Sequence, residues 1–160
     1  ANIPFEVGLG YHIRLTQRLM QRYLQGQIQA HGVTLGMWYY LRALWHHDGL
    51  TQRELAALVG TAEPTTLTAI ALMERKGFVS RKRNVHDRRR INVYLTKKGR
   101  ALEKVLIPLA REVTATAAGG LSQQEKESLL RMLRVIQENV RAKIGDEREG
   151  FRSLEVSYDE

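Results

Sequence analysis

The sequence predicts a mainly α-helical fold built around a winged helix-turn-helix, with N- and C-terminal helices forming a dimerisation domain. Three observations carry this expectation. Leu50 to Gly77 holds two short helical patterns about Gly60, the second rich in threonine, which is the spacing of a helix-turn-helix. Two β-prone runs follow at once, and Lys76 to Arg100 contains ten Lys or Arg against a single acid, Asp87. Such a basic hairpin suits a phosphate backbone. Long apolar stripes at both chain ends exceed what a small winged helix can cover, and self-association is the simplest way to bury them.

Taken in order, residues 1–8 should be irregular, because Pro4 and Gly8 interrupt them. From about Leu9 to Ala30 the residues Leu9, Ile13, Met20, Leu24 and Ile28 recur at helical spacing, with Leu15, Leu19 and Tyr23 widening the stripe. His31-Gly32 ends this helix, and Thr34 can cap the next, Leu35 to His46. That second helix carries Met37, Trp38, Tyr39, Tyr40, Leu41, Leu44 and Trp45, most of them expected in the core and the remainder available to a ligand cleft. Thr51 and Glu54 form a capping box, and Leu55, Leu58 and Val59 lead to a left-handed turn at Gly60. The next helix opens near Glu63 and Pro64, points Leu67, Ile70 and Met73 inward, and stops at Gly77.

Phe78 to Arg83 and Ile91 to Leu95 should be the wing strands, with Asn84-Val85-His86-Asp87-Arg88 at the tip. Thr96 is an N-cap for a helix over Lys97 to Ala118 that Pro108 kinks. Gly119-Gly120 breaks it. Ser122 to Glu125 is a second capping box, opening a helix through about Ile144 with Leu129, Leu130, Leu133, Ile136 and Val140 on one stripe. Residues 145–160 hold six acids and two arginines; this tail reads as solvated, with a strand-like arm of Phe151, Leu154, Val156 and Tyr158 as the alternative.

At 160 residues the chain has the length of one domain and can bury a core. A net charge of +8 and a pI near 10.0 call for an anionic partner, either nucleic acid or an acidic membrane surface. No apolar run approaches a transmembrane helix and no signal-peptide core is present, so the expected location is cytoplasmic and no membrane partner is expected. Zero cysteines remove disulfides, thiolate metal sites and thiol switches. The histidines His12, His31, His46, His47 and His86 never pair at i,i+4, so no metal and no cofactor is expected. Phosphate-loop, nucleophile-elbow and helical zinc motifs are all missing, which leaves an enzyme reading without support.

The segments LTQRELA and EPTTLTAIALMERKGFVSRKRNVHDRRRINVYLTKKG resemble the multiple-antibiotic-resistance regulator (MarR) family. The family pattern Leu-Glu-x-x-Gly-Leu-Val-x-Arg, Asp-x-Arg, Leu-Thr-x-x-Gly is met by Met73-Glu74-Arg75-Lys76-Gly77-Phe78-Val79-Ser80-Arg81, Asp87-Arg88-Arg89 and Leu95-Thr96-Lys97-Lys98-Gly99. The resemblance covers about a third of the chain by motif, and the flanking helices fit it. It implies a homodimeric transcriptional regulator, usually a repressor, that binds a pseudo-palindromic site on double-stranded DNA and is released by a small effector. On that reading about 1–34 and 100–144 dimerise, about 35–99 bind DNA, and 145–160 form the tail. A basic architectural protein that coats DNA without an effector is the alternative.

The DNA-facing residues implied are Thr51, Gln52, Thr61, Glu63, Pro64, Thr65, Thr66, Thr68 and Arg75 from the helices. From the wing they are Arg81, Lys82, Arg83, Asp87, Arg88, Arg89 and Arg90. The family's minor-groove arginine corresponds to Arg89, with Asp87 orienting it. Many members carry an arginine where this chain has Thr68, so here the reading face offers hydroxyls and methyls instead of a guanidinium. The resemblance further implies an effector such as an aromatic carboxylate, for which His12, Trp38, Tyr39 and Arg42 are the candidates.

Overall fold

The protein is described from a computed structural model, which covers residues 2 and 4–145. The tail from residue 146 on, for which a solvated segment was expected and a strand-like arm was the alternative, lies outside the described residues. Among the described residues six α-helices and two strands follow in the order α1 (Phe5–Ile28), α2 (Leu35–His46), α3 (Gln52–Val59), α4 (Glu63–Arg75), β1 (Val79–Arg83), β2 (Ile91–Leu95), α5 (Lys97–Ala117) and α6 (Gln123–Ile144). The residues fall into two compact units, Ala1–Leu35 with Lys104–Gly119 in one and the remainder of the described chain in the other.

In the first unit α1 starts earlier than the sequence suggested. Pro4 is its N-cap, and the backbone N–H groups of Val7 and Gly8 donate to the Pro4 carbonyl at 3.0 and 2.7 Å. Proline at a helix start loses no needed donor, and an interior glycine costs only about 1 kcal/mol, so neither residue breaks the helix. The helix ends at Ile28, not Ala30, because Gln29–His31 tighten into a 3-10 turn closed by Gly32 at φ 76°. Ile28, Val33, Leu106 and Val113 are buried, while Phe5, Tyr11, Ile13 and Leu19 are exposed. Pro108 lies inside α5, which continues past it to Ala117.

The second unit has its core on α2, whose Met37, Trp38, Tyr40, Leu41, Ala43 and Leu44 are buried. Leu55, Ala56, Ile70, Met73, Phe78, Val79 and Val93 complete that core. The capping box at α3 is present in both directions, Thr51 Oγ1 accepting from the Glu54 N–H and Glu54 Oε1 accepting from the Thr51 N–H, each at 3.1 Å. Gly60 turns the chain at φ 75°, and α3 and α4 meet at 111°.

Inside α4 one expectation is corrected. Leu67 does not point inward: it is 42% exposed, whereas Thr66 is fully buried. Residues 66, 70 and 73 share one helical face, and Leu67 stands about 100° round from it. The threonine can occupy the inward position because its hydroxyl finds partners there, described below.

Phe78 also sits outside the strand predicted for it. Its N–H donates to the Met73 carbonyl and its own carbonyl accepts from the Thr96 N–H at 3.0 Å, which fastens the end of α4 to the start of α5. β1 and β2 pair antiparallel from Val79↔Leu95 to Arg83↔Ile91. Thr96 caps α5 as predicted, its hydroxyl accepting from the Gly99 N–H at 3.0 Å and donating to the Gly77 carbonyl at 2.5 Å. The Ser122–Glu125 capping box opens α6, and no residue of α6 is buried within one chain. Among the described residues no single helix is long and apolar enough to cross a membrane.

Candidate nucleic-acid interface

The wing tip is held by short polar side chains. Asn84 Oδ1 accepts from the N–H groups of His86 and Asp87 at 2.9 and 3.0 Å, an Asx turn that reverses the chain. Asn84 Nδ2 donates to Asn92 Oδ1, and Asn92 Nδ2 donates to the Gly49 carbonyl at 2.8 Å, so the tip is braced against the start of the helix-turn-helix. Asp87 Oδ1 then accepts from both the N–H and the Nε of Arg89, at 3.1 and 3.2 Å. Arg90 Nε lies 3.6 Å from Asp87 Oδ2. The Arg89 side chain is nevertheless 91% exposed. Hydrogen bonds from the Arg89 side chain and backbone hold the Asp87 carboxyl below its usual range, which keeps it charged and able to orient the guanidinium.

Lys82, Arg83, Arg88 and Arg90 are exposed along the same hairpin, as is Arg75 at the end of α4. Arg81 is different. Its N–H, Nε and Nη2 donate to the Glu74 carboxylate at 2.8, 3.3 and 3.1 Å, so its guanidinium joins the strand to α4 instead of reaching outward freely. The backbone bond from Arg81, then its side-chain bonds, lower the Glu74 pKa from the ordinary 4.5. A lowered carboxylate contributes stability that is present above its unfolded value and lost as pH falls through the folded one. Glu74→Gln should therefore melt earlier than the parent at neutral pH, and the gap should close as the pH drops below about 4.5. Thermal melts across a pH series check this, and a gap independent of pH would show that the charge of Glu74 is not what stabilises the pair.

On α4, Glu63, Pro64, Thr65 and Thr68 are exposed. Thr68 Oγ1 donates back to the Pro64 carbonyl at 3.1 Å, so the side chain presents a methyl and an acceptor lone pair. Thr66, expected at the interface, is buried and cannot touch a duplex in this conformation. Its hydroxyl lies 3.0 Å from Tyr40 Oη and 2.9 Å from Thr61 Oγ1, and Tyr40 Oη lies 2.9 Å from Thr61 Oγ1. Thr51 and Gln52 are also buried. Gln52 retains only 9% of its exposure, and its Nε2 has no hydrogen-bond acceptor among the described residues. It borders a cleft of about 710 Å³ between α3, Glu63 and Leu67 of α4, and Asp87, Arg89 and Arg90 of the wing.

The effector candidates divide. Trp38 and Arg42 are together on α2, with the guanidinium carbon 5.4 Å from the ring centroid, and Tyr39 is half-buried beside them. Trp38 itself is buried and meets Trp45 edge to face at 5.8 Å. His12 is exposed on α1, edge-on to Tyr11, and belongs to the other unit. Two residues that sequence reasoning did not assign to the site also shape the interface: Tyr40 and Asn92. Tyr40 is indistinguishable in sequence from its neighbours in the aromatic run. Asn92, a polar residue inside a β-prone run, carried a weak signal.

Two helices at 111°, the exposed start of the second, and a braced basic hairpin beside them define a winged helix-turn-helix protein, a class that docks on double-stranded DNA. Residues 33–91 match the model of the MarR family. The HTH-type transcriptional regulator BilQ of Clostridium symbiosum is 26% identical over 128 residues, covering 80% of this chain and 89% of BilQ. A MarR transcriptional regulator from Methanosarcina mazei Go1 has a similar structure, with a TM-score of 0.77 and 28% identity over 82% of this chain and 94% of that one. The S. aureus MepR–DNA complex gives a TM-score of 0.77 at 25% identity, covering 82% of this chain and 97% of MepR. Residues 33–91 are thus a MarR-family domain, and the relatives that resemble the longer chain are transcriptional regulators, not enzymes.

Proposed function

We propose that the protein is a homodimeric repressor that anchors on a pseudo-palindromic operator through its wings, reads it with α4, and leaves it when a small aromatic carboxylate binds. The observation that carries this reading is Arg89, an almost fully exposed guanidinium on a braced hairpin tip, aimed by a carboxylate two residues away. A cation so presented suits the minor groove, where width and negative potential attract arginine. MepR, a relative in fold, is known as a complex with DNA. The buried Gln52 amide supports the same reading, since a phosphate oxygen entering the cleft would satisfy an otherwise costly donor.

Residues about 1–34 and 100–144 supply the dimer and about 35–99 the DNA-binding part. On α6, Leu129, Leu130, Met132, Val135 and Val140 are all exposed in one chain, as are Val7, Tyr11, Ile13 and Leu19 on α1. Apolar stripes of this extent mark an association surface. On α2 the Arg42 cation, lying over the buried Trp38 ring, offers a charge partner to an aromatic carboxylate, with the half-buried Tyr39 next in the chain to Trp38.

Selection from a random duplex pool tests the reading. Retained fragments should share two half-sites one turn apart, about 34 Å centre to centre, and the protein should sediment as a dimer. Hydroxybenzoates should release the parent, and Arg42→Ala should remain bound at the same concentrations. Retention without sequence preference and without release would favour the DNA-coating alternative.

A further inference from the structure

The hydroxyl cluster under α4 has chemistry that neither packing nor charge explains. Tyr40 is 2% exposed and Thr66 is fully buried. The three oxygens of Tyr40, Thr61 and Thr66 lie 2.9, 3.0 and 2.9 Å from one another. Three hydroxyls carry three protons, and three edges need three. Each group can donate once and accept once, so the ring closes with no donor left over.

Its members come from three different pieces of chain. Tyr40 stands on α2 in the core, Thr61 lies in the turn after Gly60, and Thr66 is the fourth residue of α4. The start of α4 lacks the usual fastening: its N-cap residue is Ala62, and no side chain caps it. The ring is the polar tie that holds this end of the helix to the scaffold. Thr65, exposed on the reading face, is the next residue to Thr66. Fixing Thr66 inward therefore fixes the rotation of the helix and the direction in which Thr65 and Thr68 point.

We infer that Tyr40 is a positioning residue for sequence recognition: its hydroxyl sets the rotation of α4, and through it the discrimination between DNA sequences. This rests on the DNA-reading function proposed above. Base-edge contacts depend on placement to a few tenths of an ångström, whereas phosphate and groove contacts from long wing arginines tolerate such shifts. Loss of the ring should accordingly affect the choice among sequences more than the affinity for DNA in general.

The experiment uses the full chain, a duplex selected by the parent protein, and the same duplex with scrambled half-sites. Tyr40→Phe removes one oxygen and nothing else. Thr66→Val breaks the same ring from α4, at a buried position that no duplex touches. Each should lower the ratio of selected to scrambled affinity roughly fivefold to tenfold, the worth of one ordinary hydrogen bond. Scrambled-duplex affinity and its salt slope should stay at parental values. Thr66→Ser, which keeps the hydroxyl, should retain the parental ratio. A purely structural ring would lower the melting temperature and leave the ratio intact, and that result overturns the inference. So does a parallel fall on both duplexes, which would mean that the ring governs docking as a whole. A parent that shows no preference for any duplex would instead remove the sequence-reading function itself, and this inference with it.

Discussion

Arg89→Ala should weaken binding to every duplex, selected or scrambled, by about tenfold to a hundredfold. That is the loss of charge-assisted bonds worth about 1.5–3 kcal/mol at a groove contact. The slope of log affinity against log salt should flatten by about one unit, the signature of one fewer cation on the DNA. Arg89 is the suitable residue to remove because its exposure means that the apo fold spends little on it, its bonds among the described residues being to Asp87 at the hairpin tip. Thr68→Ala should behave in the opposite way, leaving scrambled affinity unchanged and reducing preference for the selected site. Titrations of both variants on both duplexes across a salt series separate the two effects. If Arg89→Ala left both affinities intact, the wing would not be the anchor.

Gly99→Ala should be the most destabilising small substitution in the second unit. A Cβ at this position would lie 2.0 Å from the Phe78 carbonyl oxygen and 3.0 Å from its carbon. Neither side can give way easily. The Phe78 oxygen accepts from the Thr96 N–H, the Gly99 N–H is held by Thr96 Oγ1, and the Gly99 carbonyl accepts from Trp45 Nε1 at 3.0 Å. Overpacking a site so constrained costs about 3 kcal/mol or more, which lowers the melting temperature of a chain this size by about 6–12 °C. Gly26→Ala is the control, since a Cβ there meets nothing within 4 Å, and removing a helix-interior glycine stabilises by roughly 0.5–1 kcal/mol. Equal melting of the two variants would mean that α5 can shift away from the wing at no cost. The glycine of the Leu-Thr-x-x-Gly motif thus has a structural reason, close passage of α5 over the end of α4.

What the sequence by itself determined is the set of elements whose causes are local. Both capping boxes, Thr51 with Glu54 and Ser122 with Glu125, are interactions across three residues and form as read. The turn at Gly60 and the stop after Arg75 also lie where a left-handed glycine requires them, and the ten cations between Lys76 and Arg100 announce an anionic partner whatever their geometry. Tertiary structure alone decided which polar side chains are available to that partner. Thr65, Thr66 and Leu67 are consecutive, and helical spacing assigns their faces only to within a residue. Thr66 goes inward because Tyr40, 26 residues away in sequence, joins Thr61 in satisfying its hydroxyl, and this leaves Leu67 at the surface. In the same way Arg81 is drawn to Glu74, while Arg89, in the same basic run, projects outward. A buried hydroxyl is tolerated, and a cation becomes committed, only where a partner stands within about 3 Å; that partner comes from elsewhere in the chain, so folding, not the local sequence, selects it.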